Sequence, residues 1–298
     1  MSAHAEFLRA ATNDGGLAGQ LKLDFRQAAL SEKDRQMLEF ADKLTRFPWM
    51  ILESDIGSLR QAGFHDMEIL HIVLGSAHFN YLNRMADGIG IRFEYQSDLP
   101  DFQLPPSEDR TPPSPATTRR LSAPHEDKKI AWISCPDQSL AELTESDPCN
   151  LFRSMGYNPD AAQLTKEWRD YQLKPTVQLD ARTRGRLALY VSALNYCEYS
   201  SLWYRQLLIR LGDESPTLDG LCRGEQPAGL QELERLEFEH ARRLTREPWT
   251  TREVHIDGLR QAGLGDSGIL QLSMLVSYFS FENRVALGLG VAIEKSLT

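Results

Sequence analysis

One internal register governs this chain of 298 residues: a segment near the N-terminus recurs 200 residues later without a gap. Leu44, Thr45 and Arg46, followed by Pro48 and Trp49, return as Leu244, Thr245 and Arg246, followed by Pro248 and Trp249. Leu59-Arg60-Gln61-Ala62-Gly63 returns as Leu259-Arg260-Gln261-Ala262-Gly263. Asp66, Ile69 and Leu70 match Asp266, Ile269 and Leu270; Asn83-Arg84 matches Asn283-Arg284; Gly88 and Gly90 match Gly288 and Gly290. The register runs from His4 to about Tyr95 and reads as a duplication.

Each copy has helical periodicity. Ser31 precedes Met37, Leu38, Ala41 and Leu44, with Asp34 at a capping-box position. Pro48 ends that helix, because proline lacks an amide hydrogen and disfavours helix in the residue before it. A short helix with Ile56 and Leu59 follows, closed by Gly63, and Asp66 is expected to cap a long helix closed by Gly88 and Gly90. In the second copy this long helix (Ile269, Leu270, Leu272, Met274, Leu275, Val276, Phe279, Phe281) is apolar nearly all round, so it must be central or lie at a subunit interface. Pro159 after Asn158 marks another helix start. A run from Ala181 through Leu187, Tyr190 and Leu194 to Cys197 predicts a helix, and a further one carries Leu202, Leu207 and Leu208 to Gly212. The expected fold is all-α: two repeated helical units, 1–96 (lacking its leading half) and 128–298 (complete), joined by a flexible Pro/Ser-rich linker, 97–127.

Composition narrows the function. A formal net charge of -9 argues against nucleic-acid and anionic-membrane partners. There is no apolar signal core and no apolar run long enough to cross a membrane. The four cysteines, Cys135, Cys149, Cys197 and Cys222, form no CxxC and no zinc spacing, which fits a reduced, cytoplasmic protein. No cofactor and no metal is expected. The steps Glu68/His71 and Glu237/His240 have the spacing of di-iron carboxylate helices, and His71 and His78 share a face. Under the repeat, however, Gln271 replaces His71 and Phe40 replaces His240, so chance placement is favoured. Asn83-Arg84 and Asn283-Arg284 interrupt apolar helices and are read as a hydrogen-bonded structural cluster or interface. Each Pro-Trp pair is read as a helix terminator with a core tryptophan.

The run from Leu187 to Cys197 resembles the signature helix of the alkylhydroperoxidase D-like (carboxymuconolactone decarboxylase) superfamily. The Leu-Thr-Arg, Leu-Arg-x-Ala-Gly and Asn-Arg elements resemble its peroxidase-related members. The resemblance covers about 130–298 as a whole unit and 4–95 as the latter part of another. It implies an all-helical fold and a site with a glutamate, a CxxC and a histidine four residues after the second cysteine. A thiol in the first turn of a helix is more readily thiolate, a second one turn on resolves the sulfenate, and the histidine and glutamate relay protons.

This chain departs from that pattern. Cys197 keeps the first cysteine, Ser200 stands at the second, Tyr204 at the histidine and Gly185 at the glutamate. His4 matches Tyr204 under the repeat and so falls on the histidine position of the first unit, with no dithiol helix before it in this sequence. The candidate site residues are Cys197, Ser200, Tyr204 and His4. Trp203 and Tyr204 are read either as pocket lining or as core. Two main functional readings follow, with metal-dependent oxidation through the Glu68/His71 and Glu237/His240 steps a distant third. One is a peroxidase-related oxidoreductase with a degraded dithiol site, acting on a small-molecule substrate with an outside thiol reductant. The other is a non-catalytic pseudoenzyme for binding or assembly. The apolar helix 266–287 adds the expectation of a homo-oligomer.

Overall fold

A computed structural model describes residues 2–91, 99–100, 130–136 and 149–297. Among them there are thirteen α-helices and no strand. The helices are α1 (Ser2–Thr12), α2 (Gly15–Asp24), α3 (Glu32–Arg46), α4 (Glu53–Gln61), α5 (Asp66–Ile89), α6 (Asn150–Arg153), α7 (Pro159–Leu173), α8 (Ala181–Leu194), α9 (Glu198–Arg210), α10 (Ser215–Cys222), α11 (Glu232–Arg246), α12 (Glu253–Gln261) and α13 (Asp266–Leu289). Apart from Leu99 and Pro100, the expected linker 97–127 lies outside the described residues.

Local chemistry sets the helix ends. Ser31 accepts from the Asp34 amide at 3.1 Å, Asn158 from Ala161 at 3.0 Å with Pro159 at the first helical position, and Asp180 from Thr183 at 2.7 Å. Gly63 and Gly90 take positive φ at the ends of α4 and α5, where an L side chain would be strained. One expectation changes. Asp66 is the first residue of α5 rather than its cap, and its carboxylate turns away to accept from the Ser134 amide and hydroxyl and from Arg60. The backbone end is served by Glu68, which accepts from the His65 amide at 2.7 Å.

The helices α3, α4 and α5 have the same bounds as α11, α12 and α13 shifted by 200 residues. The two sets pack on each other, with α5 against α13 at the centre. The contacts are reciprocal. A Cβ on Gly88 would touch Leu244 at 3.0 Å and Ser273 at 3.2 Å; one on Gly288 would touch Val73 at 3.0 Å and Leu44 at 3.2 Å. Glycine at both positions lets α5 and α13 approach their opposite neighbours closely. One apolar core runs from Phe40 to Val291 through both sets. Leu272, Leu275, Val276 and Phe279 of α13 are fully buried, each worth roughly 1.5–3 kcal/mol of transfer free energy. The apolar helix is therefore central, covered within the chain by α5, α8 and α11. Of the apolar residues that suggested an oligomer, Leu270 is exposed, Met274 is half-buried and the rest are buried. No described helix is long and apolar enough to cross a membrane.

Candidate functional site

The expected run from Ala181 to Cys197 is two elements. The helix α8 stops at Leu194, Tyr196 takes a positive φ of 52°, and Cys197 becomes the N-cap of α9. This break places Cys197 at the positive end of a new helix, with Ser200 and Tyr204 one and two turns on along the same face. Cys197 Sγ donates to Ser200 Oγ at 3.4 Å, and Cys197, Ser200 and Tyr204 are all buried.

Tyr204 does not stand ready as a base. Its hydroxyl donates to Glu282 Oε1 at 2.6 Å, and Glu282 Oε2 accepts from Tyr278 at 3.0 Å. Burial, and next the charge of Glu282, hold both phenols well above their ordinary range, with Arg169 opposing. Both phenols therefore remain donors. Glu282 comes from α13, not from the helix of the Gly185 position, and the sequence reading missed it. It is the one acidic residue of α13 beyond its first, and an acid in an apolar helix is a signal that could have found it.

The Gly185 position is closed. A Cβ there would lie 2.9 Å from Leu208 Cδ2, so α9 packs onto α8 where a glutamate side chain would leave. Beside this lies a second buried cluster, also not foreseen. The Arg169 guanidinium is stacked between Phe152 and Trp203, 4.5 and 4.4 Å from the ring centres. Its Nη1 donates to Cys149 Sγ at 3.8 Å. Cys149 is 3.1 Å from the Tyr199 hydroxyl, which also donates to Glu294 at 2.7 Å. Trp203 thus covers an arginine, and Tyr204 is core.

His4 is not brought into this arrangement. It is exposed on α1, and its ring meets Phe7 and Phe79 edge-on, the latter at 4.8 Å. The same ring contact occurs 200 residues on, between Tyr204 and Phe279 at 4.8 Å. Neither Glu-x-x-His step joins a cluster of three metal-binding side chains among the described residues. Glu68 caps α5, His71 pairs with Asn158, and buried His240 pairs with Ser273 at 3.0 Å. Of the two tryptophans after proline, Trp49 is buried and Trp249 is half-buried.

No family model matches the sequence, and no curated protein does. Solved structures match the fold. An uncharacterized peroxidase-related protein from Silicibacter sp. TM1040 superposes at TM-score 0.50 and 19% identity, over 61% of this chain and 97% of its own. An uncharacterized peroxidase-related protein from Ralstonia eutropha JMP134, with an alkylhydroperoxidase AhpD core, superposes at TM-score 0.51 and 17% identity, over 57% of this chain and 95% of its own. The chain has the alkylhydroperoxidase D-like fold of these peroxidase-related proteins.

Proposed function

We propose that this chain is a non-peroxidatic protein of the alkylhydroperoxidase D-like fold that serves binding or assembly, its former thiol site absorbed into the core. The observation that carries this reading is that a Cβ at Gly185 would lie 2.9 Å from Leu208 Cδ2, so an aliphatic side chain borders the place where a proton-relaying carboxylate would leave the helix. Two further features agree with it. Ser200 cannot close a disulfide with Cys197, and Tyr204 is fixed to Glu282 as a donor rather than free as a base. The test is peroxide consumption with an external dithiol. Wild type and Cys197→Ser should run at the same background rate. Turnover that disappears with Cys197→Ser would overturn the proposal.

A second reading rests on the placement of Cys197 at the N-cap of α9. There the helix end favours thiolate, which would attack a peroxide oxygen to give a sulfenate and release an alcohol or water. One outside thiol would then condense with the sulfenic acid to a mixed disulfide, releasing water, and a second would reduce that disulfide and restore the Cys197 thiol. This one-thiol cycle requires the Cys197-dependent turnover that the first reading excludes.

A further inference from the structure

We propose that the face of α1 and α5, which no helix covers among the described residues, docks an apolar, small-residue helix supplied by a separate polypeptide. The inference rests on the binding or assembly reading above and gives that reading its surface. The chain displays the matching interface once within itself. In the second unit, α8 lies across α9, α11 and α13. Ser192 of α8 donates to Asn283 at 3.2 Å, Tyr190 meets the edge of Phe238 at 5.1 Å, and Gly185 sits against Leu208. The positions 200 residues earlier are Asn83, Leu38 and Leu8, and among the described residues no helix covers them as α8 covers their counterparts. Asn83 is exposed, and Leu38 and Leu8 are part-exposed.

The contrast in exposure follows the same line. Phe279 is 0% and Glu282 3% exposed, whereas Phe79 is 46% and Leu82 39% exposed, and Phe7 beside them is 66% exposed. Where the second unit buries the acid Glu282, the first unit exposes a leucine, Leu82. Adjoining apolar groups exposed on α5 and its end are a reason to expect a partner. Gly75 lies on the same helix with nothing within 4 Å of a Cβ, which leaves room for a close helix crossing. The occupant is thus defined by chemistry: an apolar helix with small residues, and a hydroxyl to meet Asn83, laid in a groove.

The probe is a fluorescein-labelled peptide of residues 178–196, the α8 sequence itself, titrated against the full chain by anisotropy. Saturable binding at about 1–100 μM is expected, weakened at least about tenfold by Leu82→Arg and by Phe79→Asp. It should be unchanged by Leu270→Arg, an exposed position on α13. Circular dichroism verifies that each variant is folded. No saturable binding overturns the proposal, as does equal binding of a scrambled peptide or binding that survives Leu82→Arg. In sedimentation without peptide, a dimer that Leu82→Arg dissociates would show a second copy on the face and overturn it also. None of these outcomes depends on peroxide turnover, so this inference and the loss of thiol chemistry fail separately.

Discussion

Arg284 donates through Nη2 to the backbone carbonyl of Thr45 at 2.9 Å, 239 residues away in sequence. Arg84 returns the contact to the carbonyl of Thr245 at 3.4 Å. Each arginine also holds a carbonyl of its own helix one turn back, Ser280 for Arg284 and Asn80 for Arg84. Both guanidiniums are buried and held below the ordinary arginine range, Arg84 to about 10, first by burial. The nearby positive charge of Arg84 adds to the shift of Arg284. The Leu-Thr-Arg segments and the Asn-Arg pairs are thus two ends of one reciprocal contact.

That contact sets a ranking of variants. Arg284→Lys keeps the charge but replaces the planar fork, whose Nη1 and Nη2 reach the two carbonyls separately, by a single nitrogen. It should lower stability by about 2 kcal/mol, because a buried cation is left part-satisfied. Thr45→Ala leaves the accepting carbonyl in place and removes the γ-methyl and the hydroxyl that accepts from Asn80, at about 1 kcal/mol. Urea midpoints in the reverse order would contradict the arrangement.

Gly90 and Gly290 end equivalent helices with φ of 68° and 60°, so alanine meets the same backbone strain at both, about 1 kcal/mol. Only Gly290 faces another group. A Cβ there would fall 2.1 Å from the Trp132 ring, while none lies within 4 Å at Gly90. Gly290→Ala should therefore cost about 3 kcal/mol or more and Gly90→Ala about 1 kcal/mol. Equal losses in thermal unfolding would show that Trp132 does not pack there.

Two buried groups on α11 give opposite pH dependences. Burial, with Glu234 and Asp180 adding, raises Glu237 from 4.5 to about 7. The folded protein then holds a proton that the unfolded chain releases, and stability falls as pH rises through 4.5–7. Burial, with Arg243 and His255 adding, lowers His240 from 6.5 to about 4, so stability falls as pH drops from 6.5 toward 4. Glu237→Gln should gain up to about 3 kcal/mol over wild type at pH 8 and little at pH 4.5. The same difference at both pH values, read from urea midpoints, would refute the burial argument.

Restoring the family residues one at a time should separate geometry from chemistry. Ser200→Cys puts a second sulfur where Ser200 Oγ lies 3.4 Å from Cys197 Sγ. A mild oxidant should then close a bridge between Cys197 and the introduced thiol, seen as a loss of two hydrogens by mass. Gly185→Glu should instead destabilise by about 2–3 kcal/mol, because its Cβ would already meet Leu208 Cδ2 at 2.9 Å and the buried Leu208 side chain would have to shift to admit a carboxylate. The double variant should form the bridge without gaining peroxide turnover. A gain in turnover would mean that Leu208 moves aside.

The sequence by itself located the helices of the repeat and the starts of α7 and α8, but not the break at Tyr196 that divides α8 from α9. Apolar residues at helical spacing, Ser31, Asn158 and Asp180 as caps, and Pro48, Gly63 and Gly90 as stops are local signals, and they act through backbone hydrogen bonds within a few residues. The constant offset of 200 residues told which helices would be alike, and the thiol-motif substitutions at Ser200, Tyr204 and Gly185 were legible as residue types. Only the tertiary structure decided what those substitutions meant. Glu282 reaches Tyr204 across 78 residues, Leu208 closes over Gly185 from the next helix, and Arg169 reaches Cys149 between Phe152 and Trp203. Such contacts depend on how two faces meet. The period of one helix fixes its own face but carries no information about which neighbour will bury it. The same limit explains α13. Its all-round apolar pattern required a central place, and the packing of α5 and α8 decided that the cover came from within the chain.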